Sequence, residues 1–271
     1  MNLHLTERDR DLLLVLSRAR WLTTRQIHGH YFEEASLNAC QKRLRKLAQA
    51  SFLAGVRPSR METQLWRLGT QGVQTLRARE ATAPSVPKRI PGNREHFLTV
   101  NDLRLWFRGH FRGQGPNLSF FLAEWELKRG RQLEVIPDAL VQLTAGERSL
   151  MLALEVDLGT ENPVLFARMK LDNYGRFETV WSSRDWYVVV LTSGWPRTKA
   201  LIRRLYGHGA ASRFVLSDVE RFLTGHPDSA VLIPVGEKRA GSSAVCLTLN
   251  QLLKSPLGVS SREETLAAVS D

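Results

Sequence analysis

Two runs decide the fold: Leu150-Met151-Leu152-Ala153-Leu154-Glu155-Val156-Asp157 and Trp186-Tyr187-Val188-Val189-Val190-Leu191-Thr192. The second is apolar on both faces around three consecutive valines, the pattern of a strand buried on both sides. Between them, residues 163–179 place Phe166, Met169 or Lys170, Asn173 and Phe177 at helical spacing. Beyond them, Pro196 suits the first turn of another helix, which continues through Leu201, Ile202 and Leu205. Residues 213–216 then read as a short strand and 219–223 as a helix. Strand, helix, strand, helix, strand implies parallel pairs joined by right-handed crossovers. Upstream, residues 119–123, 133–136 and 139–143 are strand candidates close enough in sequence to run antiparallel. Residues 96–109 read as a helix before them, and residues 230–235 are a last strand candidate. This half of the chain is therefore expected to be a mixed-sheet α/β domain.

The stretch before it has a different character. Residues 81–94 contain three prolines among small residues and resist regular structure, so a linker is expected there. That divides the chain into a first domain at 1–80, the linker 81–94, an α/β domain at 95–240 and a peripheral Gly/Ser-rich tail at 241–271. In the first domain, Thr6 is a good helix N-cap with Asp9 three residues on, and Leu12, Leu13, Leu16 and Ala19 form an apolar stripe. Thr23 or Thr24 caps a short second helix through Gln26, Ile27 and Tyr31. Gln26, His28 and His30 could reach a backbone; the two histidines do not share a helix face, so no metal is read there. Ser36 opens a third helix, with Leu37, Cys40, Leu44 and Leu47 on one side and Asn38, Gln41, Lys42, Arg45, Lys46 and Gln49 mainly on the other. Residues 52–56 and 64–68 look like two strands around Arg57-Pro58-Ser59-Arg60, and residues 71–79 like a closing helix. Three helices and a hairpin are the order of a winged helix-turn-helix. The third helix would enter the major groove of double-stranded DNA, and Arg57 and Arg60 in the wing would meet phosphates.

Composition agrees with a polyanionic partner. The 271 residues carry a net charge of +11 and are 43% hydrophobic, which suits a globular chain. Residues 1–80 hold 14 Lys and Arg against 7 Asp and Glu, while the remainder holds 24 against 20. Most of the excess therefore lies in the first third, including Lys42, Arg43, Arg45 and Lys46. Cys40 and Cys246 stand far apart with no companion cysteine nearby, which argues against a disulfide framework or a zinc site and suits a reducing cytoplasm. The charged residues at 7–11 argue against a signal peptide, and no apolar stretch is long enough to span a membrane.

The candidate chemistry lies where the strands end. If the strands around Asp138 and Glu155 pair side by side, Asp138, Glu155 and Asp157 meet at one edge of the sheet. Glu155 and Asp157 are two apart and share one face of a strand. Carboxylates from adjacent strands suit Mg²⁺ or Mn²⁺, which take oxygen ligands and retain waters. Such an ion stabilises charge on a scissile phosphate and lowers the pKa of an attacking water. Lys170, on the next helix, could position that water, and Thr160 could cap the helix. Glu124 and Glu126, two apart, are read as one exposed face of a strand and as spare ligands. Trp66, Trp181, Trp186 and Trp195 could stack on bases, but burial is the expectation for each.

Several short motifs in order resemble the plasmid replication-relaxation proteins. In the first half these are Leu5-Thr6-Glu7-Arg8-Asp9, Leu22-Thr23-Thr24-Arg25-Gln26 and Arg43-Leu44-Arg45-Lys46-Leu47. In the second they are His96, Pro137-Asp138-Ala139, residues 155–161 and Lys170 with Tyr174. The resemblance covers residues 5–205 and implies a DNA-binding protein of plasmids, phages or integrated elements. The second half also resembles the PD-(D/E)xK nuclease superfamily, of restriction-endonuclease-like fold. That resemblance makes Asp138 the first acid and Glu155 the second, with Asp157 where the pattern has lysine and Lys170 as a relocated replacement. Three functions follow as expectations. One is a DNA-binding factor in plasmid replication, transfer or its regulation. The second is a metal-dependent endonuclease with Asp138, Glu155, Asp157 and Lys170 as its catalytic set. The third is an adaptor that brings a replication or transfer protein to DNA. A homodimer would double the DNA readout.

Overall fold

A computed structural model of the chain describes residues 3–59, 62–78, 86–113, 115–130, 135–181, 185–229, 231–235 and 246–254. It divides into two compact units, Met1–Leu105 and Trp106–Asp271. Within the described residues, no helix is long and apolar enough to cross a membrane.

The first unit runs α1 (Glu7–Ala19), β1 (Leu22–Thr23), α2 (Thr24–Tyr31), α3 (Leu37–Gln49), β2 (Leu53–Val56), β3 (Leu65–Leu68) and α4 (Thr70–Arg77). Its three described strands pair antiparallel in the order β1-β3-β2. Each of the first three helices starts at a hydroxyl cap. Thr6 and Asp9 form a capping box on α1, Thr23 and Gln26 form another on α2, and Ser36 accepts from Ala39 N on α3. Most of the stripes expected from periodicity face inward: Leu12, Leu13, Leu16, Ile27, Cys40, Leu44 and Leu47 share one core with Trp66 and Leu68, whereas Leu37, expected on the same side in the first turn of α3, is 41% exposed. α5 (Arg94–His110) runs across the division of the chain. Its Asn101 is fully buried and donates from Nδ2 to the Ala19 and Trp21 carbonyls, satisfying backbone at the end of α1.

The second unit is the mixed α/β fold the sequence implies. Among the described residues, six strands lie in the order β4-β5-β6-β7-β8-β9. They are β4 (Asn117–Ala123), β5 (Ala139–Ala145), β6 (Arg148–Asp157), β7 (Asp185–Thr192), β8 (Phe214–Asp218) and β9 (Ile233–Pro234). The β4-β5-β6 pairs and the β8-β9 pair are antiparallel, and the β6-β7-β8 pairs are parallel. α7 (Pro163–Trp181) and α8 (Trp195–Leu205) make the two crossovers and cover one face. There, Met151, Ala153, Trp186, Val188, Val190, Leu201, Leu205 and Tyr174 form the core. Leu150, Leu152, Leu154 and Val156 alternate to the other face of β6 and are buried too. Phe107, Phe121 and Phe222 cluster on that side. α9 (Val219–Thr224) and α10 (Leu249–Lys254) complete the unit. α10 packs on β5 and β6 through a helix whose Leu249, Leu252 and Leu253 are buried, so this part of the C-terminal segment is not peripheral.

Four local expectations need correction. Residues 135 and 136 are not strand, while 133 and 134 lie outside the described residues. Glu124 and Glu126 sit in a short helix, α6 (Glu124–Gly130), not on a strand: Glu124 pairs with Lys128, and Glu126 accepts from Ala123 N at 3.0 Å. α7 is started by Asn162, whose side chain accepts from Val164 N at 2.8 Å, not by Thr160. Of the last strand candidate, residue 230 lies outside the described residues, and among the others only Ile233–Pro234 is a strand.

Candidate functional site

The antiparallel pairing of β5 with β6 sets Ala139 opposite Leu154. Asp138 therefore arrives beside Glu155, and its Oδ2 accepts from Val156 N at 2.8 Å. The side chain thus takes the next rung of the ladder that β5 would otherwise supply from its backbone. Glu155 points to the crossover face and is only 2% exposed. Both of its oxygens have donors from α7. Lys170 Nζ lies 2.5 Å from Oε2, and the Tyr174 hydroxyl lies 2.6 Å from Oε1. Phe166, Lys170 and Tyr174 recur at four-residue spacing, so one stripe of α7 supplies a core ring, a cation and a hydroxyl.

Burial pushes Glu155 up to about 7; Lys170 opposes this and Asp138 adds to it. Burial also raises the Tyr174 hydroxyl, as does the neighbouring Glu155, so Tyr174 is a hydrogen-bond donor at neutral pH. Lys170 keeps 20% of its side chain exposed and Asp138 is partly exposed, so the group is reached from their side.

Asp157 shares the face of Glu155 but has another partner. Arg197 in the first turn of α8 grips it at both oxygens, Nε to Oδ2 at 2.6 Å and Nη2 to Oδ1 at 3.0 Å. Gly159 N also donates to Oδ1 at 3.0 Å. Asp157 is 4% exposed, so this is a buried bidentate ion pair that joins the end of β6 to the start of α8. The structure therefore brings Asp138, Glu155 and Lys170 together and holds Asp157 apart from them on Arg197. Among the described residues, no three His, Cys, Asp or Glu side chains are grouped to hold a metal ion. The donors that fit a hard cation are the carboxylate pair Asp138 and Glu155, since Mg²⁺ commonly takes one or two carboxylates with waters and phosphates. Sequence reasoning misses Arg197 because its partner lies 40 residues away. Tyr174 is legible as the residue one turn beyond Lys170.

A second candidate surface lies on α3. Asn38, Lys42, Arg45 and Lys46 are exposed and Gln41 partly so. Lys42, Arg45 and Lys46 have no partner among the described residues. Arg43, in the same run, behaves differently: it turns back to the buried Asp9 and to the His4 carbonyl. Arg57 is exposed after β2, and Arg60 lies outside the described residues. Gln26 donates to the Leu98 carbonyl and to Asp102, both at 2.9 Å, and His28 contacts the Ala35 carbonyl. Both are occupied within the unit.

The tryptophans divide as well. Trp66 and Trp186 are buried, as expected. Trp195 is 45% exposed, against the expectation of burial, because it precedes the first inward-facing residue of α8. The side chain of Trp181 lies outside the described residues.

Compared with known proteins, residues 13–187 match the family model described as replication-relaxation. No curated protein and no solved structure matches the chain.

Proposed function

This chain belongs to the replication-relaxation family, and on that premise we propose that it binds double-stranded DNA of a plasmid or other mobile element, in replication, transfer or their regulation. Three helices, a short strand between the first two and a hairpin after the third, paired as one antiparallel sheet, support reading the first unit as a winged helix. The observation that carries the proposal is the outer face of α3. Its Lys42, Arg45 and Lys46 have no partner among the described residues, while Leu44 and Leu47 anchor the opposite face in the core. A rigid helix offering free cations and the amides of Asn38 and Gln41 is what major-groove docking uses. Arg57 would meet the flanking phosphates.

The test is fluorescence anisotropy with the full chain and labelled duplex. Arg45→Ala with Lys46→Ala should weaken binding on the order of tenfold at moderate salt and flatten its salt dependence. Unchanged affinity would mean that a different surface carries the contact.

A specific observation favours a second reading, a Mg²⁺- or Mn²⁺-dependent endonuclease addressed by the first unit. Glu155 is a buried carboxylate held by Lys170 and Tyr174 beside Asp138. Strongly shifted groups arranged with a charge partner are a mark of functional sites. In this reading the second unit is of PD-(D/E)xK type. Asp138 and Glu155 would hold the cation, Lys170 would stand at the reacting water, and Asp157 would brace the strand end through Arg197. The cation would supply charge stabilisation at the phosphate. Supercoiled plasmid with Mg²⁺ or Mn²⁺ should be nicked by the wild type and not by Glu155→Gln. Equal nicking by both would sink the endonuclease reading and leave the DNA-binding one standing.

A further inference from the structure

α8 has the sequence Trp-Pro-Arg-Thr-Lys-Ala-Leu-Ile-Arg-Arg-Leu and contains no acidic residue. Its buried side is Thr198, Leu201 and Leu205. Trp195, Lys199 and Arg203 follow one another at four-residue spacing along an exposed flank, and Tyr206 follows them at the helix C-cap. All four are exposed, Trp195 at 45% and Tyr206 at 42%. Lys199 Nζ rests 5.1 Å from the centroid of the Trp195 ring. Neither Lys199 nor Arg203 has an acidic partner among the described residues. Arg197, on the same helix, points inward to Asp157 instead.

We propose that this face of α8 is a binding surface for a single-stranded stretch of DNA. The identity of the polyanion rests on the DNA-binding reading above; the choice of an unpaired strand rests on the stripe itself. An exposed aromatic ring at each end gives a base something to stack on, and the two cations between them match a phosphate chain. A duplex hides its base faces and could use only the cations. Trp195 and Tyr206 are eleven positions apart, which is about 16 Å along a helix and within the reach of a few nucleotides. The position of the stripe adds to the argument. Thr192 pairs with Asp157, and Ser193 N donates to the Asp157 carbonyl at 3.0 Å. α8 thus leaves the same edge of the sheet at which Glu155 and Asp138 lie. A strand laid on α8 would run toward that carboxylate pair.

The experiment compares two probes with the full chain, a labelled oligothymidylate and a labelled duplex of mixed sequence. The wild type binds the oligothymidylate. Trp195→Ala weakens that binding about tenfold, Trp195→Phe retains most of it, and Lys199→Ala with Arg203→Ala lowers its salt slope by about 1.4. Each variant leaves duplex affinity within about twofold, because α3 is untouched. The proposal is overturned if the wild type ignores the oligothymidylate, if Trp195→Phe loses as much as Trp195→Ala, or if both probes weaken equally. Failure of the wild type to bind duplex while it holds the oligothymidylate would instead sink the winged-helix reading and leave this one intact.

Discussion

Burying Glu155 costs stability, and the pH dependence of that cost has a definite sign. The carboxyl is raised from its ordinary 4.5 to about 7, mainly by burial. Between those values the folded chain holds a proton that the unfolded chain has released, so stability falls as pH rises through this window. Below it both states are protonated and there is no penalty. Above it the full penalty, on the order of 3 kcal/mol, is present. Glu155→Gln should therefore raise the thermal midpoint at pH 8 and flatten its change between about pH 4.5 and 7, as scanning calorimetry would read. Asp102, raised by burial from 3.8 to about 6, contributes a slope of the same sign at the lower end, which Asp102→Asn should remove. Asp157 carries a different prediction. Arg197→Ala would strand its buried carboxylate and should lower unfolding free energy by about 3–5 kcal/mol in urea titrations. Arg197→Lys cannot reproduce the two-pronged contact and should recover only part of the loss.

At the scale of elements, α3 divides one run of four basic residues between two tasks. The cap at Ser36 and the stripe Cys40, Leu44 and Leu47 fix its rotation. That rotation turns Arg43 onto Asp9, which is itself bound to the Thr6 cap of α1. Lys42, Arg45 and Lys46 are left facing outward. Arg43→Ala should therefore destabilise the first unit by about 3 kcal/mol, since the buried Asp9 loses its cation. Arg45→Ala and Lys46→Ala should change stability by less than about 0.5 kcal/mol while they weaken duplex binding. Chemical denaturation and anisotropy on the same samples would separate the two effects, and a loss of stability in all three variants would contradict the assignment. The periodicity of α3 shows which face is apolar. It does not show that one of four basic side chains reaches another helix, because Asp9 is 34 residues away.

At the scale of the whole molecule, the uneven charge predicts how the proposed DNA binding responds to salt. For duplex, the slope of log affinity against log salt should fall by about 0.9 for every phosphate that is no longer neutralised. Removing Lys42, Arg45 and Lys46 one at a time should lower it stepwise, whereas Arg43→Ala should leave it unchanged. Legibility follows the same boundary between local and distant information. The buried strand β7, the crossover helices and the three capped helices are readable because each is marked by periodicity, a cap or a valine run within its own span. So is the meeting of Asp138 with Glu155, which needs only adjacent antiparallel strands. Features that rest on distant partners are not readable: the grip of Arg197 on Asp157, the inward turn of Arg43, and the bracing of Gln26 against Leu98 and Asp102. α6 escapes notice for a different reason. Its seven residues are too few to show a helical period, and alternating Glu124 and Glu126 imitates a strand.

β6 also constrains how this gene can change. Its odd positions carry Met151, Ala153, Glu155 and Asp157 to the crossover face, and its even positions carry leucines and a valine to the other. Substitutions can alter one position at a time and keep that sorting. A single-codon deletion or insertion within residues 150–154 cannot, because the strand advances by one and both carboxylates move to the apolar side. Lys170, Tyr174 and Arg197 would then lose their acceptors together. Length in this segment should therefore be held fixed through descent even where its individual side chains drift.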